Sequence, residues 1–157
     1  MRFAWFEYRT VILGKSLMKK TILAIAALAL VLVFAALSQT SSNPKYQVVF
    51  QLTEPQGQAW DSLVLHINNL RTALSKDGVQ VEVVFFGPGL NMLLKKNTPY
   101  EERLKQLADS GVALVACQNA MRFLNVKTED LFPFAGQTDS GVAELVRKQK
   151  AGWEYIH

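Results

Sequence analysis

The sequence predicts an α/β fold, an open parallel sheet of about four to five strands with helices on both faces. Three observations support this fold class. Segments with strand character alternate with segments whose apolar residues recur at helical spacing. The strand segments are almost wholly apolar, as burial on both faces of a parallel sheet requires. After an apolar leader, residues 46 to 157 are enough for one domain of ordinary size.

The first half of the domain is predicted as strand, helix and strand. The first strand is Tyr46–Leu52, which is rich in β-branched and aromatic residues and runs into the turn-forming TEPQGQ. A helix follows and ends at Gly78, a typical residue after a helix C-terminus. The residues at helical spacing are Trp60, Leu63, Val64, Ile67, Leu70 and Leu74. The second strand covers 79–86, and Gly87, Pro88 and Gly89 close it.

The second half continues the alternation. GLNMLLKKN predicts a short helix, and YEERLKQLADSG predicts another that ends at Gly111. VALVAC is the third strand, which ends at Cys117 just before the short helix AMRFLNV. FAGQTD predicts a fourth, short strand. SGVAELVRKQKAGWEYI predicts one closing helix, with these residues turned inward: Val142, Leu145, Val146 and Trp153.

An apolar leader precedes the domain. Residues 21–38 carry no charge, follow two lysines and end in small residues, as a secretory signal does. Their length is also close to that of a membrane span. The sequence therefore predicts either a signal peptide over 18–38, with a periplasmic or secreted product, or an inner-membrane anchor. Residues 1–17 resemble an over-extended start, and 39–45 a linker to the domain at 46–157.

The positive charge of the chain belongs to this leader. The net charge is +4, and residues up to Ser38 contain five of the seventeen Lys and Arg residues against one of the thirteen acidic residues. The rest of the chain therefore has twelve of each and is neutral. Nucleic-acid binding needs a basic face on the domain itself, so nucleic acid is not an expected partner.

Cys117 is the only cysteine of the chain and the main candidate site residue. Ligands of open α/β sheets bind beyond the carboxyl ends of the strands, where the glycine loop at 87–89 and Cys117, Gln118 and Asn119 should meet. The N–H groups of a following helix would stabilise a thiolate there. Free cysteine is also among the most buried residue types, so an inert, packed thiol remains the alternative.

Other site chemistries lack the residues that they need. The only histidines are His66, predicted mid-helix and away from the strand ends, and His157, so a Cys-His pair is not expected. One cysteine and two separated histidines do not make a metal ligand set. GPGLNM lacks the third glycine of a dinucleotide fingerprint. The sequence predicts neither a metal nor a cofactor.

The motifs in their order resemble the DsrE/DsrF-like family of sulfur-relay proteins, over roughly 46–156. The segments that carry the resemblance are INNLRTAL, VEVVFFGPGLNMLL, GVALVACQNAM and SGVAELVRKQKAGWEYI. The resemblance implies a Rossmann-like α/β sandwich, assembly as a homotrimer or homohexamer, and sulfane sulfur carried as a persulfide on Cys117, with Gly87, Pro88, Gly89 and Asn119 around it. The chain has Ala120 where the single-domain subgroup usually has threonine, so a possible hydroxyl donor near the sulfur is lost.

Two functions follow as hypotheses. In the first, the protein is a sulfurtransferase-like carrier without a cofactor, whose partners are sulfur donors and acceptor thiols, either proteins or small sulfane-sulfur compounds. In the second, it is a non-catalytic oligomeric module that binds a small ligand or a protein, with a buried, inert cysteine. Large apolar residues favour assembly in either case: Phe132, Phe134, Trp153, Tyr155 and Ile156.

Overall fold

A fully parallel sheet organises the part of the chain that the computed structural model describes, residues 44–96 and 99–157. Within it five strands lie in the spatial order β4-β3-β2-β1-β5. Their bounds are β1 Tyr46–Leu52, β2 Val79–Phe85, β3 Ala113–Cys117, β4 Gly136–Thr138 and β5 Glu154–Ile156. All four pairings are parallel. The sheet and its helices form a Rossmann-like α/β arrangement, which confirms the predicted fold class.

The predicted leader falls outside the described residues. This holds for the proposed over-extended start at 1–17, for the signal peptide or anchor at 18–38, and for the linker up to residue 43. Among the described residues, none of the helices combines the length and apolar character needed to cross a membrane.

Helices connect the strands and cover both faces of the sheet. They are α1 Gln58–Ala73, a 3₁₀ helix at Gly87–Leu93, α2 Glu101–Asp109, α3 Gln118–Phe123, a 3₁₀ turn at Thr128–Asp130, and α4 Gly141–Lys150. The first four of these contribute to a continuous apolar core on one face, which we call the thick face. Its largest fully buried side chains include Trp60, Phe85, Ile67 and Leu104. The alternation of strand and helix predicted from the sequence is confirmed.

The opposite face, which we call the thin face, has a much smaller cluster under α4. The cluster consists of Val49, Val84, Leu145 and Trp153. A partly buried ion pair lies on the same face, where Glu82 Oε2 is 2.6 Å from Lys148 Nζ and the lysine side chain is 21 % exposed. The lysine also lies 4.1 Å from the centre of the Trp153 ring. Glu82 Oε1 is buried and has no hydrogen-bond partner among the described residues.

The end of the chain differs from the prediction of one closing helix. Helix α4 ends at Lys150, Gly152 takes a left-handed φ of 90°, and the chain returns as β5 beside β1. The predicted inward side of α4 was also wrong in part. Leu145 is buried, but Val142 and Val146 are 60 % and 59 % exposed. Trp153 is buried as predicted, although it lies in the turn before β5 rather than in a helix.

Candidate functional site

An open pocket of about 290 Å³ lies at the carboxyl edge of the sheet, where β2 and β3 end. This is the edge at which open α/β sheets bind ligands. The residues that line it are Phe86, Gly87, Cys117, Asn119, Ala120, Phe123, Leu124, Ser140, Gly141 and Val142. We call it the thiol pocket, since it contains the only cysteine of the chain.

Cys117 lies at the base of the thiol pocket, at the junction of β3 and α3. It is the last residue of the strand and the N-cap of the helix, with an extended backbone at φ −76° and ψ 116°. Successive side chains of a strand point to opposite faces of the sheet. Leu114 and Ala116 belong to the core of the thick face, so Val115 and Cys117 point toward the thin face. The residue is 4 % exposed.

Two backbone N–H groups donate to the sulfur. The N–H of Ala120 in α3 lies 3.4 Å from Cys117 Sγ, and the N–H of Gly141, the first residue of α4, lies 3.1 Å away. Backbone N–H groups at helix N-termini carry partial positive charge. Both donors therefore stabilise negative charge on the sulfur, one from each face of the sheet.

Close packing at Gly141 brings the second donor within reach of the sulfur. A Cβ on Gly141 would lie 2.9 Å from Phe86 Cδ1 and 3.2 Å from Val84 Cγ1, so a side chain would push the start of α4 off the sheet. Ser140 caps the helix by accepting from the N–H of Ala143 at 3.4 Å. That cap leaves the N–H of Gly141 to the sulfur.

The structure brings three of the six predicted site residues to the thiol pocket. Cys117, Asn119 and Gly87 line it. The Asn119 side chain also contacts its own helix, since its Oδ1 accepts a hydrogen bond from Arg122 Nη2 in the next turn.

The other three predicted residues, Gln118, Pro88 and Gly89, lie beside the thiol pocket rather than in its lining. Gln118 Nε2 donates to Gln137 Oε1 at 3.3 Å on the neighbouring strand. Pro88 is exposed. A Cβ on Gly89 would lie 2.3 Å from the carbonyl oxygen of Leu52, so Gly89 allows the 3₁₀ helix to pack on the end of β1.

Sequence reasoning missed the apolar walls of the thiol pocket. They come from Phe86 at the end of β2, from Phe123 and Leu124 at the end of α3, and from Val142 in α4. Phe123 is 85 % exposed, which no periodicity in a six-residue helix reveals. The available signal was the Ser-Gly-Val segment at 140–142, which the family resemblance marked without assigning it to the site.

The two histidines line a different pocket. His66, His157 and Glu54 line a cleft of about 200 Å³ between α1 and the ends of β1 and β5. The placement of His66 away from the strand ends was therefore wrong. Hydrogen bonds from the backbone N–H groups of Glu54 and Thr53 hold the pKa of the Glu54 carboxyl below its usual value. Neither histidine lines the thiol pocket, and the described residues contain no group of three or more His, Cys, Asp or Glu side chains that could hold a metal ion.

Comparisons with known proteins agree with this architecture. The sequence model of the DsrE/DsrF-like family matches residues 45–157. Among solved structures, the chain is similar to the protein of unknown function MTH1491 from Methanobacterium thermoautotrophicum, at 32 % identity and a TM-score of 0.63. That match covers 71 % of this chain and 98 % of the other. No curated protein matches the chain.

Proposed function

Since the chain belongs to the DsrE/DsrF-like family, we propose that it is a sulfur-relay protein that carries sulfane sulfur as a persulfide on Cys117. The observation that carries this proposal is the position of Cys117 Sγ, at the base of an open pocket and within hydrogen-bond distance of two backbone N–H groups. A thiolate is the reactive form of cysteine, and both N–H groups are placed to donate to it.

The transfer needs two exchange steps and no cofactor. In the first, the Cys117 thiolate attacks the outer sulfur of a donor persulfide or polysulfide, an S–S bond forms on Cys117, and the donor leaves as a thiolate. In the second, an acceptor thiolate attacks the outer sulfur on Cys117 and releases the Cys117 thiolate. Each step breaks one S–S bond and forms another, so no external oxidant or reductant is consumed. Such exchange depends on thiolate content and on access to the sulfur.

The outer sulfur of the persulfide would extend from the base of the thiol pocket toward its mouth. We assign the N–H groups of Ala120 and Gly141 to the negative charge on the sulfur, and Asn119 and the backbone of Gly87 to the outer sulfur atom. Ala120 contributes its N–H but no hydroxyl. Neither a metal nor a histidine is needed for these roles, because no bond to carbon is made or broken.

One observation favours the second candidate function, a binding module with an inert thiol. Cys117 is only 4 % exposed, and buried cysteines are most often packing residues. In that case the thiol pocket would bind a small ligand or a peptide without sulfur exchange. Access of a small reagent to the native sulfur separates the two functions.

We also propose that the protein assembles as a homotrimer or homohexamer, as its family resemblance suggests, and that 18–38 exports or tethers it. Exposed apolar side chains around the thiol pocket support assembly, namely Phe123, Val142 and Val146. Of the residues that the sequence suggested for this role, Phe132 and Trp153 are buried in the domain instead, while Tyr155 and Ile156 remain 37 % exposed.

The decisive experiment is to load the native protein with inorganic polysulfide at neutral pH and to measure its intact mass. We expect a gain of one or more sulfur atoms on Cys117, and loss of the added sulfur to an acceptor thiol. Because Cys117 is the only cysteine, Cys117→Ser is a complete control and should gain nothing. A native protein that gains no sulfur while a known carrier does in the same tube would remove the relay function.

Alkylation decides the alternative in the same preparation. In a relay protein, iodoacetamide should modify native Cys117 at a rate comparable with a free thiol. If the thiol reacts only after unfolding in urea, the binding module replaces the relay protein as the better description.

A further inference from the structure

The thiol pocket is lined by uncharged side chains: none of its described lining residues is a Lys, Arg, His, Asp or Glu. The cation that contacts a lining residue, Arg122, donates to Asn119 Oδ1. Its walls are the apolar side chains of Phe86, Phe123, Leu124 and Val142. A donor molecule that enters therefore exchanges water for apolar contacts, which favours apolar groups and disfavours ions.

Two side-chain oxygens of the thiol pocket already accept hydrogen bonds. The Ser140 hydroxyl accepts the N–H of Ala143, and Asn119 Oδ1 accepts from Arg122. The N–H groups of Ala120 and Gly141 point at the cysteine sulfur. These two donors can stabilise one negative charge, that of the sulfur on Cys117, and the lining supplies no further cation for a donor that is itself an anion.

We propose, on the premise of the relay function, that the donor is an organic hydropersulfide, R–S–SH, whose R group is uncharged and apolar, and not a donor such as thiosulfate whose leaving group is a small charged ion. The Cys117 thiolate attacks the outer sulfur and forms a new S–S bond, the S–S bond of the donor breaks, and R–S⁻ leaves and takes a proton from water while Cys117 keeps the outer sulfur as a persulfide. The R group packs against Phe86, Phe123 and Val142. The thiol pocket, at about 290 Å³, is close to the lower end of the roughly 300 to 1,000 Å³ typical of small-molecule sites. A polysulfide chain without an organic group would leave most of that volume and its apolar wall unused.

Three hydropersulfides with R groups of similar length test the preference for an uncharged R group. Propyl, 2-carboxyethyl and 2-aminoethyl hydropersulfide present the same sulfur chemistry with a neutral, a negative and a positive end. The rate of sulfur gain on Cys117 is measured by intact mass. For each donor it is divided by the rate at which the same donor transfers sulfur to free N-acetylcysteine, which removes differences in intrinsic reactivity between the donors. We expect the normalised rate of the propyl donor to exceed both charged donors by about tenfold or more, the size of effect that apolar pockets commonly produce. Thiosulfate should be slower still.

A matched pair of variants locates the effect in the thiol pocket. Val142 lines the pocket and is 60 % exposed, whereas Leu65 on α1 is 57 % exposed and lies outside the lining and outside the surface proposed for assembly. In Val142→Lys, an added cation at the pocket wall should reduce the preference for the propyl over the carboxyethyl donor by about tenfold. In Leu65→Lys the preference should stay that of the unaltered protein. Because both positions are exposed, neither change should affect folding.

The outcomes separate this inference from the relay function. If Cys117 gains sulfur from all the donors at equal normalised rates, or faster from thiosulfate or the carboxyethyl donor, the relay function stands and the neutral donor class is wrong. If Leu65→Lys changes the preference as much as Val142→Lys, the selectivity does not arise in the thiol pocket and the inference is also wrong. If Cys117 gains sulfur from none of the donors, the relay function itself is removed.

Discussion

On the thick face of the sheet, α1, α2 and α3 pack onto one continuous apolar core, whereas on the thin face α4 covers a cluster built from Val49, Val84, Leu145 and Trp153. The thin face also contains an ion pair between the buried Glu82 and the partly exposed Lys148, where the thick face buries aliphatic and aromatic groups. An ion pair of this kind gains little over apolar packing because the buried charge loses its water. The thick face should therefore supply most of the stability of the domain.

The functional groups are distributed differently. Cys117 points toward the thin face, and one of its two N–H donors, Gly141, belongs to α4. The other donor, Ala120, belongs to α3, which packs on the thick face through Met121. The sulfur thus lies where a helix of the thick face and a helix of the thin face both begin. Residues of the thin face should affect sulfur chemistry more than stability, and residues of the thick face the reverse.

The largest expected effect is on stability, from the same truncation on the two faces. Leu104 in α2 is 0 % exposed in the thick-face core, and Leu145 in α4 is 6 % exposed in the thin-face cluster. Leu→Ala changes in cores cost about 2 to 5 kcal/mol, and more where a larger cavity remains. We expect Leu104→Ala near the upper end of that range and Leu145→Ala near the lower end, measured as the free energy of unfolding in urea.

Sulfur loading should rank the same two variants in the opposite order. Leu145→Ala loosens the helix that presents Gly141 to the sulfur, so it should slow loading of Cys117, while folded Leu104→Ala should load at the unaltered rate. Equal stability losses with equal loading rates would mean that the two faces do not differ in the way described here.

A smaller effect on stability, but a larger one on the site, is expected from Gly141→Ala. The added Cβ would meet the ring of Phe86 at 2.9 Å and Val84 at 3.2 Å. Crowding of this kind costs about 1 to 3 kcal/mol, and displacement of the Gly141 N–H should slow sulfur loading roughly tenfold because a hydrogen bond to a charged sulfur is lost.

Gly136→Ala is the matched control for that change. Gly136 lies on β4, the strand that pairs with β3, and stands opposite Val115. An added Cβ there meets no atom closer than 3.7 Å. We expect near-normal loading and stability. If Gly136→Ala slows loading as much as Gly141→Ala, the Gly141 N–H has no special role at the sulfur.

Much of the fold could be predicted from the sequence because its signals are local. The bounds of Tyr46–Leu52 and the end of the third strand at Cys117 follow from apolar runs that stop at turn-forming or helix-starting residues. The strand Glu154–Ile156 could not be predicted, since three residues carry little propensity and their pairing with β1 depends on the turn at Gly152, where φ is 90°. Propensity is weak evidence where tertiary pairing decides.

The candidate site shows the same limit. The position of Cys117 between a strand and a helix was readable from neighbouring residues. The contact from the Gly141 N–H was not, because 24 residues separate the two in the chain. The outward orientation of Val142 and Val146 was also hidden, because both share one apolar stripe of α4 with Leu145, and the contact of the helix with the sheet decides which edge of that stripe is buried.

The smallest expected effect on folding, with a separate effect on assembly, comes from the outer side of α4. Val146 is 59 % exposed and lies one turn from Val142 on the same side of the helix. Changes at exposed positions usually alter the free energy of unfolding by less than about 0.5 kcal/mol, so Val146→Ser should leave the stability of the separate chain nearly unchanged.

If the outer side of α4 is buried between copies of the chain in the proposed trimer or hexamer, the same change should lower the share of assembled protein in sedimentation at a fixed concentration. Ser62→Ala is the control, because it changes a side chain of similar size on helix α1, away from α4, and should leave the sedimentation profile unchanged. An unchanged sedimentation profile for an assembled protein would mean that copies of the chain meet elsewhere and that Val146 has no role in assembly.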